Sequence, residues 1–277
     1  MSARPQIAAR VVVAVAAASV IVGVVVVGAG AGGCAPADPG TVPFDREHKV
    51  RALQLISVFE NGTIELQYAY VEDIGDGRGY TCGLGFTTAT GDALEVVRRY
   101  TDAVPDNALA PLLPVLAQRA ADESGDTAGL EAFPAAWAQS ASDPQLQAIE
   151  EAVQDDNSYT PALERVDTLG IASALGLMLV FDTMWMHGDG DDDDGTDAII
   201  ARVPAATPAE GGDERAYLSS YLDTRRADLA HAFDADTRDV WAEALPRVDV
   251  QRDVLSAGNL AFDGPIHVAH GFDVDVP

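Results

Sequence analysis

Apolar residues first recur at helical spacing between Asp45 and Phe59. Ala52, Leu53, Leu55, Ile56 and Phe59 mark one face, Asp45 stands where a carboxylate caps, and Gly62 stops the run. Ile64, Leu66, Tyr68 and Tyr70 then alternate as along a strand. Gly75-Asp76-Gly77-Arg78-Gly79 follows, a sequence suited to a sharp turn with positive φ and an uncluttered backbone. Helical spacing resumes over Gly91 to Thr101, Asn107 to Ala120, Gly129 to Ser140 and Pro144 to Asp155. Val166 to His187 is apolar nearly all round, as a buried helix is. Its length and glycines argue against a membrane span. A last long helix is expected from Thr207 to Arg226, with Tyr217, Leu218, Tyr221 and Leu222 on its apolar face. No internal repeat or composition break divides the chain.

The amino terminus follows different rules. Arg4 and Arg10 precede an apolar run from Val11 to Val27, then small residues up to Cys34. That is an export signal over residues 1–34. Ala31-Gly32-Gly33-Cys34 resembles a loose lipoprotein processing site, so lipidation of Cys34, simple secretion and an uncleaved anchor all stay open. Residues 35–44, with three prolines, read as a linker. Residues 45–277 are then the functional domain. Membrane contact is expected only through the amino-terminal segment, and the protein is expected to be a monomer.

Composition narrows the partners. The chain of 277 residues carries 44 acidic against 17 basic side chains, a net charge of −27, and Lys49 is its only lysine. Phosphates would be repelled, which excludes nucleic acid. A cationic polymer would be attracted. Adaptation to high salt explains the same charge, and the two readings are compatible. With only Cys34 and Cys82, no disulfide framework is expected. Cys82 reads as a small buried thiol, since no histidine lies near it.

Candidate chemistry rests on carboxylates. Glu60 ends the first helix, where a cleft could receive it, and Asp76 sits on the uncluttered glycine-rich turn beside Arg78. Asp182 interrupts the apolar helix and must face an arginine, because an unpaired buried carboxylate is very costly. Arg225, one turn beyond Tyr221, can point inward to meet it. The acidic run Asp189 to Asp194 fails as a calcium loop, because the sixth and twelfth positions hold Asp194 and Ile200. It reads as a solvated acidic loop. The histidines are too scattered for a metal site, and no metal or cofactor is expected.

These residues resemble the chitosanases of glycoside hydrolase family 46. Glu60-Asn61 and Glu72-Asp73-Ile74-Gly75-Asp76-Gly77-Arg78-Gly79-Tyr80-Thr81 carry the resemblance. It continues in Thr90-Gly91-Asp92, Met186-His187-Gly188, Gly211-Gly212-Asp213-Glu214, Leu222-Asp223-Thr224-Arg225, Arg247-Val248-Asp249 and Ala257-Gly258-Asn259-Leu260. The resemblance implies a mainly α, lysozyme-like α+β fold of two helical lobes with a small β-sheet at a substrate cleft. It implies an endo-acting, inverting hydrolase of chitosan with Glu60 as general acid and Asp76 as general base. Thr81 would help hold the attacking water, and Asp182, Arg225 and Arg247 would form a network behind the acid. Asp92 would hold a sugar amine, beside its plain role in the first turn of a helix. Arg78 and Tyr70 complete the substrate-binding set. A non-catalytic chitosan-binding protein of the same fold is the competing reading, and retention of all five acid and network residues favours the enzyme. An insertion near Asp234 to Ala244 departs from the family pattern.

Overall fold

A computed structural model describes residues 42–189, 192–233 and 238–277. The export signal of residues 1–34 and most of the linker lie outside the described residues. Among those described, no helix is long and apolar enough to cross a membrane.

The first helix, α1 (Arg46–Asn61), starts as its sequence predicts. Asp45 Oδ1 accepts from the N–H groups of Glu47 and His48, and Gly62 closes the helix in the left-handed conformation. Glu60 is thereby fixed in the last turn. The strand expected over Ile64 to Tyr70 forms only beyond it. β1 (Val71–Asp73), β2 (Tyr80–Cys82) and β3 (Phe86–Thr87) make an antiparallel sheet in that order. The apolar residues before β1 are used differently: Ile64 and Leu66 pack on one core, Leu66 and Tyr68 on another. The backbone bends to serve both and leaves the ladder.

Helices α2 (Asp92–Ala103), α3 (Leu113–Ala121), α4 (Phe133–Ser140) and α5 (Pro144–Gln154) follow near their expected places. A π turn, Asp155–Tyr159, leads from α5 directly into α6 (Thr160–Leu169). The helix expected from Val166 to His187 is two helices. Gly170, left-handed at φ 70°, ends α6, and Ser173 caps α7 (Ala174–His187) by accepting from Gly176 N. After α8 (Thr196–Ala201), the helix expected from Thr207 is likewise interrupted. A single turn, Pro208–Glu210, closes at Gly211, and Asp213 then caps α9 (Glu214–Ala230). Past α10 (Arg238–Ala242), Arg247 lies inside α11 (Leu245–Ser256), not in the irregular polar segment that its neighbours suggest. Pro246 sits near the start of that helix, where its missing N–H costs nothing. A hairpin, β4 (Ile266–Val268) and β5 (Val274–Val276), ends the chain.

Two apolar cores result. One is built from α1, α6, α7, α9 and α11, the other from the three-stranded sheet with α2, α4 and α5. Leu66 and Trp185 touch both. The run from α5 through the π turn to α6 begins in the second core and ends in the first. Lys49 of α1 pairs with Asp155 in the π turn, and Arg99 of α2 pairs with Asp156 at 2.8 Å.

Candidate active site

Asp182 is wholly buried on α7, and four donors reach it from two other helices. Arg225 Nη1 of α9 lies 2.6 Å from Oδ2, and Arg247 Nε of α11 lies 2.9 and 3.0 Å from the two oxygens. Arg247 Nη2 stands 2.7 Å from Oδ1, and Gln251 Nε2 donates to Oδ2 at 2.6 Å. Burial alone would push this carboxyl up. The two guanidinium groups outweigh burial and hold it at about 2. The arginine partners required of a lone acid in an apolar helix are therefore present.

The network runs on to the surface. Arg247 Nη1 pairs with Glu60 Oε1, and the guanidinium lies 5.1 Å from the Phe59 ring centre. The Glu60 side chain is 17% exposed, enough for contact with a bound molecule. Burial lifts its carboxyl above the ordinary range, and the positive charge of Arg247 opposes this without cancelling it. The sequence alone left that balance open.

Glu60 lines one pocket with Tyr70, Thr81, Leu84, Gln67 and Trp185. Glu60 is carried by α1 of the first core, Thr81 and Leu84 come from the sheet side and Trp185 touches both cores, so the pocket lies where the two cores meet. Thr81 on β2 pairs in register with Glu72 on β1. Its Oγ1 is buried with no hydrogen-bond partner among the described residues. Asp76 stands outside this pocket lining, on the turn from β1 to β2. It accepts from the backbone N–H of Arg78 at 3.0 Å and from that guanidinium at 2.6 and 2.9 Å. Tyr70 donates its hydroxyl to Glu72 at 3.1 Å.

Asp92 starts α2 and is committed locally. Its Oδ1 accepts from Thr87 N, Thr90 Oγ1 and Ala93 N at 2.7 to 2.9 Å. Burial raises its carboxyl against the opposing pull of those three donors.

Two members of the buried network were missed from sequence. Gln251 accepts from Arg225 at 3.2 Å besides donating to Asp182. It lies four residues beyond Arg247, so recognising α11 as a helix would have put both on one face. His187 is wholly buried, and its Nε2 accepts from Arg225 Nε at 3.3 Å. Its Nδ1 therefore donates to the Asp194 carbonyl at 2.9 Å. Burial and the charge of Arg225 keep the ring neutral. No cluster of metal-ligating side chains occurs among the described residues.

A mainly helical, two-core fold with an arginine-backed glutamic acid lining the pocket is, on comparison with known proteins, that of a glycoside hydrolase. The profile of glycosyl hydrolase family 46 matches residues 54–266, and the chain belongs to that family. It is 48% identical over 228 residues to a chitosanase of Bacillus subtilis (strain 168), covering 81% of this chain and 82% of that protein. A Streptomyces chitosanase is 40% identical over 229 residues, covering 80% and 79%. The native chitosanase of Bacillus subtilis MY002 superposes with a TM-score of 0.78 at 47% identity, covering 84% of this chain and 98% of that one. A mutant of that enzyme complexed with 6 GlcN gives 0.79 at 45% identity, covering 84% and 100%.

Proposed function

We propose that this protein is an exported endo-chitosanase that cleaves β-1,4 linkages between glucosamine units with inversion. The observation that carries the reading is Glu60, a carboxyl raised by burial at the cleft yet oriented by Arg247. A general acid needs both features: a proton at working pH, and a fixed direction in which to deliver it. Glu60 protonates the leaving glycosidic oxygen. Asp76 takes a proton from the attacking water, whose hydroxide equivalent bonds to the anomeric carbon as the glycosidic bond breaks. An inverting pair leaves room for that water. The buried hydroxyl of Thr81, without a hydrogen-bond partner among the described residues, suits a group that steadies it. Asp182, Arg225 and Arg247 keep the acid in place.

The substrate class follows from charge and kinship. A protein of net charge −27 attracts a chain of ammonium groups, whereas anionic peptidoglycan fits it poorly. The relatives are chitosanases, one of them complexed with 6 GlcN and another with chitotetraose. Asp92, Arg78 and Tyr70 are proposed to contact the sugars, Asp92 by meeting an amine. The amino-terminal segment would deliver the enzyme outside the cell, and no cofactor is involved.

Glu60→Gln and Asp76→Asn test the roles. Each should abolish nearly all loss of chitosan viscosity while leaving the melting transition intact. Near-parental cleavage by either variant would refute its assignment. Proton NMR of the first products should show inverted anomers.

A further inference from the structure

Gly75, Asp76 and Gly77 form the exposed crest of the turn that carries Asp76. Space there is open: a Cβ added at Gly75 or Gly77 would meet nothing within 4 Å. Further along, the turn is anchored on one side by its own sheet. Ala89 N donates to Arg78 O, Thr88 N donates to Tyr80 O, and Tyr80 N donates to Thr88 Oγ1. None of these bonds reaches Asp76 or Gly77.

The other side meets a loop that neither motifs nor periodicity singled out. Gly125, between α3 and α4, approaches backbone to backbone. A Cβ at Gly125 would lie 2.0 Å from Gly77 O, 2.5 Å from Gly77 C and 2.9 Å from Gly79 N. Real Cβ atoms do not come so close, and the obstacles are backbone atoms that cannot rotate away. Gly125 lies outside the left-handed region, so its own φ would admit alanine. The glycine is required by proximity alone.

That loop is itself braced. Ser124 N donates to Arg119 O at 2.9 Å, Arg119 Nη2 donates to Ala128 O at 2.7 Å, and the same nitrogen pairs with Asp126 at 2.8 Å. Asp126 Oδ1 accepts from Ala128 N at 3.0 Å. The Arg119 carbonyl thus holds Ser124 and its guanidinium holds Asp126 and Ala128, fixing the loop on both sides of Gly125 to the end of α3.

We propose that Gly125, braced by Arg119, is a positioning element for the general base: it forms the backstop that sets where the Asp76 turn stands in the cleft. The proposal rests on the assignment of Asp76 as base. In-line attack by a held water tolerates little error, and a displacement of about 1 Å costs on the order of 100-fold in rate. A side chain at Gly125 must push Gly77, and with it Asp76, by a comparable distance. Glu60 belongs to the other core and stays in place.

The test compares four purified full-chain variants by melting temperature and by kcat and KM on chitosan. Gly125→Ala should lower kcat by about 10- to 100-fold with KM within about twofold of the parent. Arg119→Ala, which removes the brace without adding bulk, should lower kcat in the same sense by a smaller factor. Gly129→Ala is the control for a strained loop. Gly129 is left-handed at φ 81° and its Cβ would face Val115, not the turn, so this variant should melt lower yet keep its kcat. Asp76→Asn supplies the reference for loss of the base. If Gly125→Ala keeps full kcat while Asp76→Asn is inactive, the backstop is refuted and the base assignment stands. If Asp76→Asn is itself active, the base assignment fails first. A kcat loss shared equally by Gly129→Ala would show ordinary loop destabilisation and also overturn the proposal.

Discussion

Replacing Asp182 by alanine puts the greatest strain on this architecture. The wild-type carboxylate is fully buried and receives Arg225, Arg247 and Gln251, with closest contacts of 2.6, 2.7 and 2.6 Å. Alanine removes the carboxylate paired directly with Arg225, whose side chain is wholly buried. Arg247 keeps Glu60 as a partner but loses its bond to α7. Breaking a buried pair from one side costs ~3–5 kcal/mol. For a domain of this size each kcal/mol lowers the melting temperature by about 2–4 °C, so the variant should melt about 6–20 °C below the parent. Activity should fall further than the melting shift explains, because Arg247 no longer holds Glu60 from a fixed point. Thermal melts by circular dichroism, with reducing-end release from chitosan well below both transitions, separate the two effects. Asp192→Ala, a change in the acidic loop, should alter neither. The native pKa of about 2 lies below the unfolded value, so the contribution of Asp182 is present above pH ~4 and fades as pH falls toward 2. If Asp182→Ala melts within about 1 kcal/mol of the parent and cleaves at the parental rate, the proposed link from core to acid is wrong.

Two further outcomes are expected. A chain of net charge −27 repels itself, so its melting temperature should rise from low to molar sodium chloride, and a flat or falling curve would reject the salt-adaptation reading. Glu150 on α5 is wholly buried, and burial lifts its carboxyl to about 9. A raised carboxyl stabilises the fold below its unfolded value and loses that contribution as pH climbs, here from ~4.5 toward 9. Urea titrations should therefore show Glu150→Gln gaining on the parent across that interval, and parallel curves would refute the shift.

The sequence was most legible where one residue type had a single physical solution. Asp45 could cap, and it caps. Asp182 needed arginine, and Arg225 and Arg247 are there. Periodicity misled where side chains serve two masters. Ile64, Leu66 and Tyr68 alternate like a strand, yet they pass from one core to the other, Ile64 on the first, Leu66 on both and Tyr68 on the second. Gly170 and Gly211 break helices that apolar spacing ran together. Gln251 was hidden because Pro246 disguised the start of α11. Gly125 carried no local signal at all: its constraint is a neighbour 48 residues earlier in the chain, Gly77, and only tertiary structure brings them together.

The helix that begins at Pro144 and ends at Leu169 passes from one core to the other through the π turn without a loop between. Each lobe therefore owns half of an element that neither can complete. Cutting the chain within Asp155–Tyr159, or transplanting one lobe onto a relative's other half, would sever a shared beam instead of a linker. The two lobes are joined by one continuous element and so are inherited as one piece.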